Sequence, residues 1–241
     1  MRVASFNILH GRSPHDGAVD AARFADAVRA LDADVLGLQE VDRAQPRSHR
    51  LDLTAVAAEA MGATDARFVP ALTGTPGEGW RPARTGDDPQ APAYGVALVS
   101  RLPVESWATV RLPPLPIRRP RDEPRVAVGA TVAGVSVFTT HLSFLPPWNR
   151  VQLRRLLVTL RGLNGPQVLT GDLNINGALP RALREWRPLV VAPTFPADDP
   201  RVQLDHVLAR RFAPTVVRAQ VLQLPLSDHR AVVVDLDLDA S

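Results

Sequence analysis

The chain has 241 residues, 45% of them hydrophobic, with 28 Lys plus Arg against 25 Asp plus Glu and a formal charge of +3. No apolar run approaches the roughly 18 residues of a membrane span, and a strand-like segment already begins at Arg2, so neither a transmembrane segment nor a signal peptide is expected. The absence of Cys excludes disulfides and thiolate metal sites, and the expectation is a soluble, cytoplasmic protein.

In chain order, "RVASFNI" reads as a strand and "DAARFADAVRALD" as a helix, with Phe24, Ala27, Val28 and Leu31 at helical spacing and Asp20 as its N-cap. "DVLGLQE" is a strand, and "DLTAVAAEAM" is a helix closed by Gly62. Residues 73–92, rich in Gly, Pro and charge, read as a loop that precedes the strand "YGVALVS". Residues 111–125, rich in Pro and Arg, read as a second loop before the strands "RVAVGATV" and "VSVFTTHL". In "PWNRVQLRRLLVTLRG" an apolar stripe of Val151, Leu153, Leu156, Leu157 and Leu160 predicts a helix ending at Gly162. The strands "QVLTGDL", "LDHVLA", "TVVRAQVL" and "RAVVVDLDL" complete the chain. Many short strands with few, well-spaced helices predict an α+β fold, or sheet-on-sheet layers flanked by helices. No repeat or linker divides the sequence, so one domain over residues 1–241 is expected.

The isoelectric point near 10.6 follows from the lack of Lys. Every basic residue is Arg, which holds its charge to about pH 12, so the value is not by itself a nucleic-acid footprint. Locally, Arg81 and Arg84 in the first loop and Arg118, Arg119, Arg121 and Arg125 in the second have the chemistry to grip phosphate. For each Arg alone, a solvated face partly paired with Asp87, Asp88, Asp122 and Glu123 is the plainer reading.

The informative pattern is polar residues at strand ends. Asn7 follows "VASF", Gln39 and Glu40 end "VLGL", His141 ends "VFTT", and Asp172 and Asn174 end "QVLTG". Asp205 and His206 follow "RVQL", and Ser227, Asp228 and His229 precede "RAVVVDL". Each alone has a structural explanation: Asn7 or Asp172 as a turn former, His141 as a satisfied core histidine, Glu40 as a solvated strand end, Asp228 as a cap. Together they exceed what a sandwich core needs. A hard divalent cation takes oxygen ligands, which Glu40 and Asn7 can supply. An acid can orient an imidazole, and Asp172 with Asn174, on one face of an extended chain, can activate water and hold a phosphoryl oxygen.

The ordered set "FNILHG", "LGLQEVD", "YGVALVSR", "TTHL", "LTGDLNIN", "LDHVL" and "LSDHRAVVVDL" resembles the endonuclease/exonuclease/phosphatase superfamily, from residue 2 to about residue 238. That family includes deoxyribonuclease I, apurinic endonucleases, neutral sphingomyelinases and inositol polyphosphate 5-phosphatases. The resemblance implies a four-layer α/β/β/α sandwich of two mixed sheets with helices outside, and hydrolysis of phosphate esters dependent on Mg²⁺, with Mn²⁺ as the alternative ion. It implies Glu40 as the main metal ligand with Asn7 beside it, and Asp228 as a further metal-linked acid. Asp172 corresponds to the residue that orients or deprotonates water, Asn174 to a phosphate contact and His141 to a phosphate-stabilising histidine. His229 corresponds to the essential imidazole, and Asp205 to the carboxylate that orients it.

Leu9 and His141 depart from the apurinic endonuclease pattern and sit nearer the sphingomyelinase, phosphatase and deoxyribonuclease I side of the family. Val96 stands where many relatives carry Asn. "FNILHG", "EPR" and "HLSFLPPWN" are similar to a bacterial subgroup of unassigned hydrolases, which adds His10 and Arg125 as substrate-lining residues. The leading expectation is a phosphodiesterase for a small or lipid-derived phosphodiester. The alternatives are a DNA or RNA nuclease, a phosphomonoesterase, or an inactive scaffold; mild charge and few aromatics count against a nuclease with stacking platforms.

Overall fold

The computed structural model of the protein describes residues 1–116, 122–176, 183 and 185–238. The strands are β1 (Arg2–Asn7), β2 (Val35–Arg43), β3 (Asp65–Thr75), β4 (Glu78–Pro82), β5 (Ala93–Ser100), β6 (Val104–Arg111) and β7 (Val126–Val132). They continue as β8 (Val135–His141), β9 (Gln167–Asp172), β10 (Arg187–Pro188), β11 (Asp205–Arg210), β12 (Thr215–Leu222) and β13 (Ala231–Asp237). The helices are α1 (Ala21–Leu31), α2 (Leu53–Met61) and α3 (Trp148–Arg161). One sheet has the order β12-β13-β1-β2-β5-β3-β4 and the other β10-β11-β9-β8-β7-β6.

Period-two alternation builds the layers. In β1, Val3 faces the space between the sheets and belongs to one apolar cluster with Val35, Val128 and Val207. Ala4 and Phe6 face the other way, onto Phe24, Val28 and Leu31 of α1 and Leu53 of α2. On the second sheet, Phe138, Leu169 and Leu208 pack against Leu153, Leu156 and Leu160 of α3. Three apolar interlayer spaces therefore make four layers, α/β/β/α. Each fully buried Val, Leu or Phe contributes about 1.5–3 kcal/mol of burial energy.

Parallel neighbours need a crossover connection, which places two of the helices. α1 joins the parallel pair β1 and β2, and α3 joins the parallel pair β8 and β9. The other pairings are antiparallel, so both sheets are mixed. Asp20 caps α1 by accepting from the Arg23 N–H at 2.9 Å, and Asp52 caps α2 by accepting from Ala55 at 3.0 Å. Gly62 ends α2 in the left-handed region, at φ 61°.

Two expectations change. Residues 73–92 are not all loop: Thr73–Thr75 finish β3, and β4 folds back on it as a hairpin. Thr and Trp among the glycines favour strand there. Val151 lies outside the α3 core stripe and is 42% exposed. Gln152 takes a core-facing position because its amide bonds the Ser143 N–H at 2.9 Å and the Pro113 carbonyl at 3.1 Å. For Arg81 the plainer reading holds: it pairs with Asp87 in an exposed ion pair at 2.6 Å, while Arg118, Arg119 and Arg121 lie outside the described residues. Among the described residues no helix is long and apolar enough to cross a membrane.

Candidate active site

The parallel pairs β1/β2 and β8/β9 bring their carboxyl ends to one edge of the sandwich. Strand register then sets the polar residues side by side. His141 on β8 pairs with Asp172 on β9, and Asp172 pairs with Asp205 at the start of β11. On the other sheet Asn7 pairs with Gln39.

A bulge aims Glu40. The register of β2 on β5 shifts between Leu38 and Val41, so Gln39 and Glu40 together oppose Val96. Gln39 turns inward and donates to Thr139 Oγ1 at 2.8 Å. Glu40, at φ 56°, turns to the open edge. A left-handed φ is uncommon outside glycine and tends to gather at functional sites.

Asn7 ties the two sheets together. Its Nδ2 donates to Glu40 Oε1 at 3.1 Å and to Asp172 Oδ2 at 3.0 Å. Its Oδ1 accepts from the Leu9 N–H at 3.1 Å, and its carbonyl accepts from Ser227 Oγ at 2.6 Å. Ser227 Oγ in turn accepts from the His229 N–H at 3.1 Å, so one hydroxyl positions both the amide and the imidazole.

"LTGDLNIN" is both a strand end and part of this site. Gly171 has φ 135°, and a Cβ there would collide with the Thr140 carbonyl. After Asp172 the chain leaves the strand: Asp172 Oδ1 accepts from the Asn174 N–H at 2.9 Å, and Asn174 is left-handed at φ 49°. This Asx turn, rather than strand alternation, brings Asp172 and Asn174 together. Asn174 Nδ2 donates to the Leu142 carbonyl at 2.9 Å and lies 3.1 Å from His141 Nε2. The Asn174 amide thus bonds the Leu142 carbonyl and lies against the His141 ring. Asn149 Nδ2 fixes the Asn174 carbonyl at 2.8 Å, and Asn176 is exposed.

The charges are unequal. Burial and the neighbouring Asp205 carboxylate raise Asp172 to a pKa of about 7, against the pull of His229 and its hydrogen bonds. Burial also raises Glu40, partly offset by Asn7. Burial opposes a charge on His229, but Asp205 outweighs it through charge and a 2.9 Å bond to Nδ1, and the pKa rises to about 10. The ring packs against Phe195, with centroids 4.9 Å apart. Burial, Arg125 and His229 push His141 well below the ordinary histidine value, so it is neutral.

Asp172, Asp205 and His229 have ligand atoms within 4.8 Å of one another, a grouping able to hold a metal ion. Asp228 is half-buried beside His229, and its charge bears on Glu40 and His229. A cavity of about 870 Å³ opens over Glu40, His141, Asp172, Asn174 and His229, and His10 and Arg125 line it. Asn7 and Asp205 are buried and, like the partly exposed Asp228, do not line it. Sequence reasoning missed Trp80, Tyr94 and Phe144, which also line it, because nothing in their spacing separates an aromatic residue on a cavity wall from one in the core or on the surface. It also placed Asp122 on a solvated face, whereas its side chain is 1% exposed.

A sequence profile described as the endonuclease/exonuclease/phosphatase family matches residues 4–229. Among solved structures, the chain is similar to an endonuclease/exonuclease/phosphatase from Beutenbergia cavernae DSM 12333, at 27% identity and a TM-score of 0.73, over 99% of this chain and 71% of that one. It is also similar to the mannosyl-6-phosphatase Bt3783 of Bacteroides thetaiotaomicron VPI-5482, at 19% identity and a TM-score of 0.68, over 99% and 100% of the two chains. The human Nocturnin catalytic domain with bound sulfate aligns at 20% identity and a TM-score of 0.66, over 98% and 94%. The last two likenesses concern the fold alone. No curated protein gives a significant match.

Proposed function

The chain belongs to the endonuclease/exonuclease/phosphatase family, and from that premise we propose that it is a Mg²⁺-dependent hydrolase of small phosphate esters, with phosphodiesters as the leading class. The observation that carries this reading is the Asn7 amide, which holds Glu40 and Asp172 from opposite sheets within 3.1 Å of one nitrogen. Two adjacent carboxylates with raised pKa values are a surplus of negative charge, and a hard cation with oxygen ligands relieves it. Glu40 would hold the metal, with Asp228 adding charge and Asn7 fixing the carboxylate. Mn²⁺ suits the same donors. Bound there, the ion supplies charge neutralisation at the phosphoryl oxygens and a more acidic water.

The remaining steps belong to the chain's own groups. Asp172, with a pKa of about 7, is matched to taking a proton from water at neutral pH. His229, kept protonated by Asp205, presents Nε2 at 3.7 Å from Asp172 and stabilises charge that develops on the phosphoryl group. With Asp205 bonded to its Nδ1, His229 suits proton and charge handling together with Asp172 and Asp205. Neutral His141, held by Asn174, lines the phosphate side of the cavity.

Hydrolysis of bis(p-nitrophenyl) phosphate with Mg²⁺, with EDTA and in His229→Ala tests the reading. Metal-dependent turnover lost in the variant is expected. Absence of metal-dependent turnover on any mono- or diester would overturn it. A nuclease is disfavoured by the Arg81–Asp87 pairing and by Asp122 and Glu123 on the cavity wall, and intact plasmid under conditions that cleave the small ester agrees with that.

A further inference from the structure

The cavity has a second polar end that the hydrolytic chemistry does not use. Asp122 lies on its wall with a side chain 1% exposed, and Arg125 beside it is 5% exposed. Among the described residues neither Oδ1 nor Oδ2 of Asp122 has a hydrogen-bond partner, and neither does Arg125 Nε. The Arg125 guanidinium is 3.9 Å from Asp122 Oδ1 and 3.6 Å from Glu123 Oε2, too far for hydrogen bonds. Buried polar groups are nearly always hydrogen-bonded, and exceptions call for an explanation. His10 Nδ1, on the same cavity, is also buried without a partner among the described residues.

We propose that Asp122 and Arg125 form a recognition subsite for a hydroxyl-bearing group, a sugar or other polyol, on the phosphate ester hydrolysed at the neighbouring centre. The proposal rests on the phosphoesterase reading and names its substrate class. Two carboxylate oxygens accept from two hydroxyl donors, and the adjacent Nε–H donates to a hydroxyl oxygen. Hydroxyl groups both donate and accept, so vicinal diols satisfy all three atoms. An ammonium group offers donors only and leaves Arg125 Nε unsatisfied. A second phosphate, as in a nucleic-acid strand, meets the Asp122 and Glu123 carboxylates and is repelled. Arg125 connects this end to the reacting centre, since its charge bears on both His141 and Glu40. The cavity volume of about 870 Å³ is within the range of small-molecule sites and exceeds the needs of a phosphate alone.

Titration calorimetry in Mg²⁺ with glucose 6-phosphate and with ethyl phosphate, on the wild-type protein and Asp122→Asn, decides it. The wild type is expected to bind glucose 6-phosphate at least tenfold more tightly than ethyl phosphate. Asp122→Asn is expected to weaken glucose 6-phosphate at least tenfold while ethyl phosphate binds as tightly or more tightly, because a negative charge has gone. Equal binding of the two ligands by the wild type, or parallel weakening of both in the variant, overturns the subsite. Cosedimentation with phosphatidylinositol vesicles, set against the free sugar ester, distinguishes a lipid-borne polyol from a soluble one; either satisfies the proposal. Turnover of bis(p-nitrophenyl) phosphate, measured in parallel, reports the hydrolase reading separately: turnover without hydroxyl preference sinks the subsite alone.

Discussion

Asp172 and Asp205 face each other as register partners on antiparallel strands, both buried. Like charges directly opposite are destabilising, and here His229 compensates, with Nδ1 at 2.9 Å from Asp205 and Nε2 at 3.7 Å from Asp172. His229→Ala therefore removes the cation between two buried acids. Breaking a buried pair costs about 3–5 kcal/mol, and losing the group that handles the proton costs about 10²–10⁴ in rate. Melting curves should show the loss at pH 7 and a smaller one near pH 4, where Asp172 is protonated. An equal loss at both pH values would remove the charge explanation.

The same pair sets an alkaline limit on wild-type stability. His229 rises from 6.5 to about 10 on folding, so the folded state holds the proton more tightly. The stability it contributes is fully present below about pH 6.5 and is lost as pH rises through about 10. Asp205→Asn should bring the imidazole titration, followed by NMR, down by at least one unit and remove most of that alkaline dependence. An unmoved titration would show that burial and Asp172 alone govern His229.

Glu40→Gln tests the metal assignment. The substitution keeps the shape and the bond from Asn7 while removing the charge. Half-saturating Mg²⁺ should rise tenfold or more, with the melting temperature held or raised, since burial already opposes the Glu40 charge. An unchanged Mg²⁺ titration takes Glu40 off the ligand list.

Much of this site was legible because it lies at strand ends, where an apolar run stops at a polar residue. Asn7, His141 and Asp172 close strands and Asp205 opens one, whereas Glu40 carries the same sequence signal but sits at a bulge inside β2, and the structure gathers all five at one edge. Strands and helices were legible for a similar reason, since period two in β1 and the helical spacing in α1 each assign faces directly; the count of four layers came from the family resemblance. What escaped depends on contacts distant in sequence. Asp122 reads as a solvated acid among arginines, and its burial follows from packing against the cavity wall. Gln152 displaces Val151 from the core face because Ser143 and Pro113 need its amide. Asn174 shares a period with Asp172 on paper, yet a turn orients it onto His141.

Gly171 offers a test of how tightly the backbone holds Asp172. Its φ of 135° is unfavourable for any residue with a Cβ, and that atom would strike the Thr140 carbonyl on β8. Gly62 is also left-handed, at φ 61°, but has open space around its missing Cβ. Gly62→Ala should cost about 1 kcal/mol, the backbone preference alone. Gly171→Ala adds overpacking between paired strands, and a loss of about 3 kcal/mol or more is expected, read as a lower urea midpoint at unchanged m-value. Because β8 and β9 carry His141 and Asp172 at their ends, a strand displaced at Gly171 also separates these groups. The rate should fall in Gly171→Ala and hold in Gly62→Ala; equal effects of the two substitutions would mean that the collision with Thr140 is relieved without moving the site.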